Sequence, residues 1–201
     1  MRFGKLLSGA AFLALVLSGC ALFPGGGPAP LDTYELSAPT PDAARNRRGI
    51  QVLIGEPSAL KSLDGQNIVI VPSPGVIQFL KGAQWADRLP KVVQARLAEA
   101  FQRSGSFAGV GKPGEGLAID YQVLSEIRSF QIDVGQGSRA DVEIFVKVLN
   151  DRNGVVRASR TFEASATVGG AAAGNDAYVR ALDAAFGDVA SEVVRWSASV
   201  M

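Results

Sequence analysis

The chain has 201 residues, 20 Lys and Arg against 19 Asp and Glu, one cysteine and no histidine. So even a balance supplies no field for nucleic acid. Without histidine, and with a single thiol, the commonest zinc and copper ligands, the commonest general base and any internal disulfide are excluded, so no metal site and no cofactor is expected.

At the start, Arg2 and Lys5 precede an apolar run, Leu6 to Leu17, that closes on Leu17, Ser18, Gly19 and Cys20. The run has the length of a secretory signal and is broken by Ser8 and Gly9, whereas a bilayer span needs roughly 20 apolar residues. The pattern reads as a lipoprotein signal peptide over residues 1–19, cleaved between Gly19 and Cys20, with the Cys20 thiol taking a diacylglycerol. The alternative is an ordinary secretory peptide carrying a chance cysteine. Loss of residues 1–19 would leave 182 residues and a formal charge of −1, enough for one domain and a tether.

Residues 20–32 form that acylated tether. Pro24, Gly25, Gly26, Gly27, Pro28 and Pro30 make a composition that stays extended or flexible. Leu22 stands two positions past Cys20, where aspartate marks retention at the inner membrane, so the periplasmic face of the outer membrane is the expected location.

The domain is expected over residues 33–201. Thr33 to Leu36 starts a strand that Pro39 and Pro41 stop, and Arg45, Arg47 and Arg48 form a basic loop. Ile50, Val52 and Ile54 alternate as on a half-buried strand. Leu63, Asp64 and Gly65 turn the chain. Asn67 to Val71 is a continuous apolar run that suits a central strand covered on both faces, and Val76 to Leu80 suits a further short one. Leu89, Val92, Val93, Leu97, Ala100 and Phe101 share a helical stripe. Pro90 places the helix start close to Arg88, and Gly105 ends it.

Gly109 to Gly116 is a glycine-rich loop that fails as a phosphate loop, because Ser106 and Pro113 stand where glycine and a magnesium-binding hydroxyl are required. Three long strands follow. Leu117 to Val134 alternates, with a phase slip that predicts a bulge near Ser125. Arg139 to Leu149 buries Val142, Ile144, Val146 and Val148. After a turn at Asn153 and Gly154, the third stretch sets Val156, Ala158, Phe162, Ala164 and Val168 against a wet face of Arg157, Ser159, Thr161, Glu163, Ser165 and Thr167. Gly169 to Gly174 is a hinge, Asn175 or Asp176 caps the next helix, and Tyr178, Leu182, Phe186, Val189, Val193 and Trp196 form its stripe. Trp85 and Trp196 are expected in the core.

These elements predict a single α+β domain: a mixed, mostly antiparallel sheet with two main helices on one face. Asp120, Glu126, Asp133, Asp141 and Glu143 are the carboxylates from which an acid–base pair would have to come, but alternation on a solvated face explains them more simply. Asp151, Asn153 and Glu163 do not have the spacing of a calcium loop. No catalytic residue is assigned. A long polar strand face exceeds what solubility requires, so Glu143, Arg157, Thr161 and Glu163 are the candidate partner or lipid surface.

Several segments together resemble the ABC-type transport auxiliary lipoprotein family, the group that includes the PqiC-type lipoproteins. They are Thr33, Tyr34, Glu35 and Leu36; the strands Ile50 to Ile54 and Asn67 to Val71; and Gln84, Trp85, Ala86, Asp87, Arg88 and Leu89 at the start of the first helix. The likeness runs from about Thr33 to Trp196. It implies a non-enzymatic periplasmic accessory of an ABC-type lipid transport system, docking a mammalian-cell-entry-type substrate-binding protein at the outer membrane; a homo-oligomer is the expectation for something that docks a tunnel-forming partner. The rivals are an envelope hydrolase working with carboxylates and a structural lipoprotein of a secretion or assembly complex.

Overall fold

The structure, a computed structural model, describes residues 30–42, 46–135, 137–169 and 174–201. The signal peptide, Cys20, the tether through residue 29, Arg45 of the basic loop and residues 170–173 of the expected hinge lie outside the described residues. In chain order the elements are β1 (Asp32–Tyr34), β2 (Arg47–Ile54), β3 (Ser58–Ala59), β4 (Asn67–Ser73), β5 (Val76–Trp85), α1 (Leu89–Arg103), β6 (Phe107–Gly111), β7 (Tyr121–Asp133), β8 (Arg139–Asn150), β9 (Val156–Thr167) and α2 (Asn175–Val200). The residues from Leu31 to Met201 form one compact unit.

β7 organises the sheet. Along one edge it pairs antiparallel with the whole of β8, which pairs in turn with β9. Along its other edge three short strands dock in succession and parallel: β2 at Tyr121–Val123, β3 at Glu126–Ile127 and β4 at Gln131–Asp133. β6 extends the β2 branch in parallel, while β5 returns antiparallel to β4 and carries β1 on its far edge. The fold is therefore the expected α+β domain with a mixed sheet, whose antiparallel ladders are the long ones. β7, 13 residues long, has room for all three short strands, and it bulges: its register with β8 slips between Ile127 and Ser129, so Val123 and Ile127 share the buried face with Phe130 and Ile132. The bulge falls at Arg128, three residues beyond the position expected from the alternation.

Both helices cover one face. α1 begins after Arg88 with Pro90 in its first turn, where the missing amide costs nothing. Gly105 follows its C-cap at φ +60, a left-handed conformation that a Cβ resists. α1 buries Leu89, Val92, Val93, Leu97, Ala100 and Phe101, and α2 buries Leu182, Phe186, Val189 and Val193. The helices, sheet and turns close over one core in which Trp85, Phe130 and Phe186 run in sequence, with ring centroids 5.7 and 6.2 Å apart. Trp85 ends β5 and is buried as expected. Trp196 is half-buried, edge-on to Phe162 at 5.4 Å.

Four expectations are corrected. Val76 to Leu80 is the first half of a ten-residue strand, not a separate short one. Part of the glycine-rich loop is strand β6: at Gly111 a Cβ would lie 2.4 Å from Leu117 Cδ1, and at Gly109 3.2 Å from Gln51 Oε1. Those glycines serve close approach rather than a turn. Val156 is exposed, because the β8–β9 register slips at Arg157 and carries Val156 away from the buried face. Finally, neither Asn175 nor Asp176 caps α2. Gly174 holds the N-cap position without a side-chain bond, Asn175 Nδ2 donates to the Lys81 carbonyl at 3.1 Å, and Asp176 Oδ1 accepts the Tyr34 hydroxyl at 2.7 Å. Both side chains are drawn to the β1–β5 corner.

That corner fixes the start of the domain. Ser37 N–H donates to Asp183 Oδ1 at 2.6 Å on α2, Arg103 of α1 donates to the Ala38 carbonyl, and Arg96 of α1 meets Glu35 at 2.8 Å. Leu36 between them is 3% exposed. The segment after β1 is thus held by both helices.

Candidate functional site

The alternation of β8 and β9 sends one set of side chains into the helices and the other to a face that neither α1 nor α2 covers. On that open face the cross-strand rows, from β7 through β8 to β9, are Glu126, Phe145 and Thr161, then Ser129, Glu143 and Glu163, then Gln131, Asp141 and Ser165. The bulge at Arg128 adds one more side chain here. Its guanidinium lies over the Phe145 ring, 4.4 Å from the centroid, and Lys147 Nζ is 5.4 Å from the same ring. Each contact is worth about 0.5–1 kcal/mol at an exposed site. Arg128 also reaches Glu143 at 3.6 Å and Glu126 at 3.7 Å, and donates to Thr161 Oγ1 at 3.3 Å.

Of the four residues expected on this surface, Glu143 and Thr161 meet Arg128, and Glu163 lies on the same face opposite Glu143. Arg157 sits apart. As the unpaired residue of the β9 slip it turns to the end of α2, where its Nε donates to the Val200 carbonyl at 3.3 Å, a favourable place for a cation. Arg128 and Phe145 were not singled out from the sequence. A signal existed for Phe145, a large aromatic among Asp141, Glu143 and Lys147 on the polar register of its strand. For Arg128 the signal depended on the exact position of the bulge.

Glu143 and Glu163 stand directly opposite each other. Like charges in register destabilise a sheet, and Arg128 relieves only Glu143. Among the described residues no ion pair engages Glu163. An open hollow of about 440 Å³ lies here, lined by Ser129, Arg139, Asp141, Glu143, Glu163 and Ser165. Asp141 is already held, with Arg139 Nε at 2.8 Å and the Ser165 hydroxyl donating at 2.6 Å.

The other carboxylates have structural partners as well. Asp120 accepts the Gln51 amide at 3.0 Å and Arg152 at 2.7 Å, which together hold its carboxyl below the usual range, the amide contributing most. Asp133 accepts the Gly135 amide at 2.9 Å. It also lines a hollow of about 820 Å³ between the β4–β5 turn, the β7–β8 turn and the end of β9. Asp151 accepts from Gln122, and Asn153 Oδ1 accepts the Val155 amide in the β8–β9 turn. Among the described residues no group of three or more carboxylate or thiol side chains converges as a metal site, and no helix is long and apolar enough to cross a membrane.

A polar open sheet face backed by two helices is an architecture suited to presenting a surface. The model of the ABC-type transport auxiliary lipoprotein component matches residues 34–194, almost the whole of this domain. The chain belongs to that family. An uncharacterized protein of Bradyrhizobium diazoefficiens is 33% identical over 187 residues, which is 90% of this chain and 49% of that one, so the chain spans about half the length of that curated relative. The crystal structure of a Xanthomonas campestris protein of family DUF330 is 26% identical, covers 84% of this chain and 95% of its own, and superposes with a TM-score of 0.73. A hypothetical protein of Chlamydia trachomatis, 11% identical with a TM-score of 0.52 over 78% of this chain and 98% of its own, shares the fold. The family is described as the lipoprotein component that is auxiliary to ABC-type transport.

Proposed function

We propose that the chain is anchored through acylated Cys20 at the periplasmic face of the outer membrane. There it holds the mammalian-cell-entry-type substrate-binding or tunnel component of an ABC-type lipid transport system. The family match across residues 34–194 carries the transport role, and Leu17, Ser18, Gly19 and Cys20 carry the anchor. The docking surface is the open face, where Glu163 offers a charge that no ion pair engages among the described residues and the Arg128–Phe145–Lys147 stack offers an apolar centre with a polar rim, the layout that protein interfaces favour. With one acyl group the attachment would be marginal; with two or more it is stable.

The test is photocrosslinking in intact cells from Ser159, which borders the stack, followed by identification of the captured protein. Capture of a mammalian-cell-entry component, lost in E163K together with E143K, is expected. An unchanged adduct in that double variant would move the interface elsewhere. Cys20→Ala should release the chain from membranes and lower the mass of the mature protein by the acyl groups.

A further inference from the structure

The β4–β5 hairpin is unusual in its charge. From Gly65 to Leu80 the chain carries no Asp, Glu, Lys or Arg, although such residues make up 19% of the whole. Beyond the core the hairpin's tip is exposed and apolar on both sides of the strand: Val76 is 42% exposed, Ile77 53% and Phe79 45%, next to Pro74 in the turn. Among the described residues β5 is also unpaired along its outer edge there, because β1 covers only Ala83–Trp85. Soluble sheets protect such an edge with charge, proline or a covering element. Here only Lys81, at the base, supplies charge.

The position of the tip identifies what covers it. β1 runs parallel to β5 with Asp32 beside Ala83 and Tyr34 beside Trp85, so the chain enters β1 from the end of β5 that carries the turn. Leu31, the residue of entry, is itself 50% exposed. Seven residue steps from Ala83 back to Val76 are about 23 Å of strand. Eleven steps separate Leu31 from Cys20, and an extended chain of that length spans at most about 40 Å. A membrane that holds Cys20 is therefore within reach of the tip.

We infer that the tip of the β4–β5 hairpin, through Val76, Ile77 and Phe79, rests in the lipid interface of the membrane that carries the anchor. The inference rests on the acylation of Cys20 proposed above. Contact is shallow: the side chains enter the headgroup and acyl boundary, while the unpaired edge of β5 stays hydrated, because a bare strand edge cannot enter hydrocarbon. Lys81 lies behind the tip, where it meets anionic headgroups. The hairpin then sets the orientation of the domain, which a flexible tether alone leaves free.

The experiment uses the full-length acylated protein in vesicles of phosphatidylethanolamine and phosphatidylglycerol. Acylation blocks Cys20, so Ile77→Cys provides one thiol for an environment-sensitive dye. Val155→Cys is the control: Val155 is 59% exposed but lies in the β8–β9 turn, at the opposite end of β8. The dye at 77 should shift to the blue and lose emission to a quencher placed shallowly in the lipid, at the headgroup and acyl boundary, with no change at 155. Acylated protein whose dye at 77 is not quenched overturns the inference while leaving the anchor intact. So does a dye at 77 that shifts to the blue without lipid quenching, since that outcome assigns the edge to a second copy or a partner strand. Two dyes per chain would report a free Cys20 thiol, and the anchor reading would fail, taking the inference with it.

Discussion

Asp120 shows how a side chain that looks catalytic becomes structural. It sits just before β7 and binds the Gln51 amide of β2 and the Arg152 guanidinium of the β8–β9 turn, tying together three segments that the β2–β7 pairing leaves loose at that end. Because the amide and Arg152 depress its pKa, its contribution is complete above the ordinary carboxylate pKa of about 3.9 and is lost as pH falls through the lower folded value. Asp120→Ala should cost about 1–2 kcal/mol at pH 7, the loss of a charged acceptor from a backbone amide. In urea unfolding the gap between variant and parent should close at acid pH. A gap of the same size at pH 2.5 would mean that the side chain acts through packing instead. The sequence displayed this aspartate but not its partners, since Gln51 and Arg152 come to it only through tertiary structure.

At the scale of elements, legibility followed periodicity. α1 and α2 were readable because their apolar stripes are long, and β8 was readable because it alternates without interruption. Misplaced features cluster where the pattern is locally broken: the bulge at Arg128, the slip at Arg157 and the glycines of β6. A bulge moves every later side chain to the other face, so three positions of uncertainty in β7 decided whether Arg128 was visible as part of the open face. Glycine signals a turn or a close approach with the same letter. Gly105 took the first role and Gly111 the second: Gly105 has a positive φ and open space around it, whereas Leu117 and Glu115 crowd Gly111. This gives a paired prediction. Gly105→Ala meets no atom within 4 Å and should cost about 1–2 kcal/mol, through its positive φ alone. Gly111→Ala forces Leu117 and Glu115 aside, so it should loosen the loop after β6 and raise its hydrogen exchange with little change at α1. Equal global destabilisation with no local signature would contradict the distinction.

For the whole molecule, the telling feature is where load from a membrane would enter. Under the proposed anchor, load enters the domain at its first described residues, and these are not a frayed end. β1 is only three residues long, yet Tyr34 is bonded to Asp176 at the start of α2, a contact that pushes its phenol up to about 12, and the next four residues are gripped by α1 and α2. The sequence suggested a strand start stopped by prolines; the clamp was invisible because its partners lie some 60 to 150 positions away. Leu36 fills the centre of that clamp, and Leu36→Ala should cost about 2–5 kcal/mol, as for a buried leucine elsewhere. Tyr34→Phe removes one exposed bond and leaves the core filled. It should leave the urea midpoint almost unchanged while raising hydrogen exchange at Asp32–Leu36. Local opening in Tyr34→Phe alongside global loss in Leu36→Ala would identify a graded attachment, in which the Tyr34–Asp176 bond yields first under load and the leucine holds the domain together. If Tyr34→Phe lowered the midpoint as far as Leu36→Ala does, β1 and the core would be a single cooperative unit, with no yielding step between tether and domain.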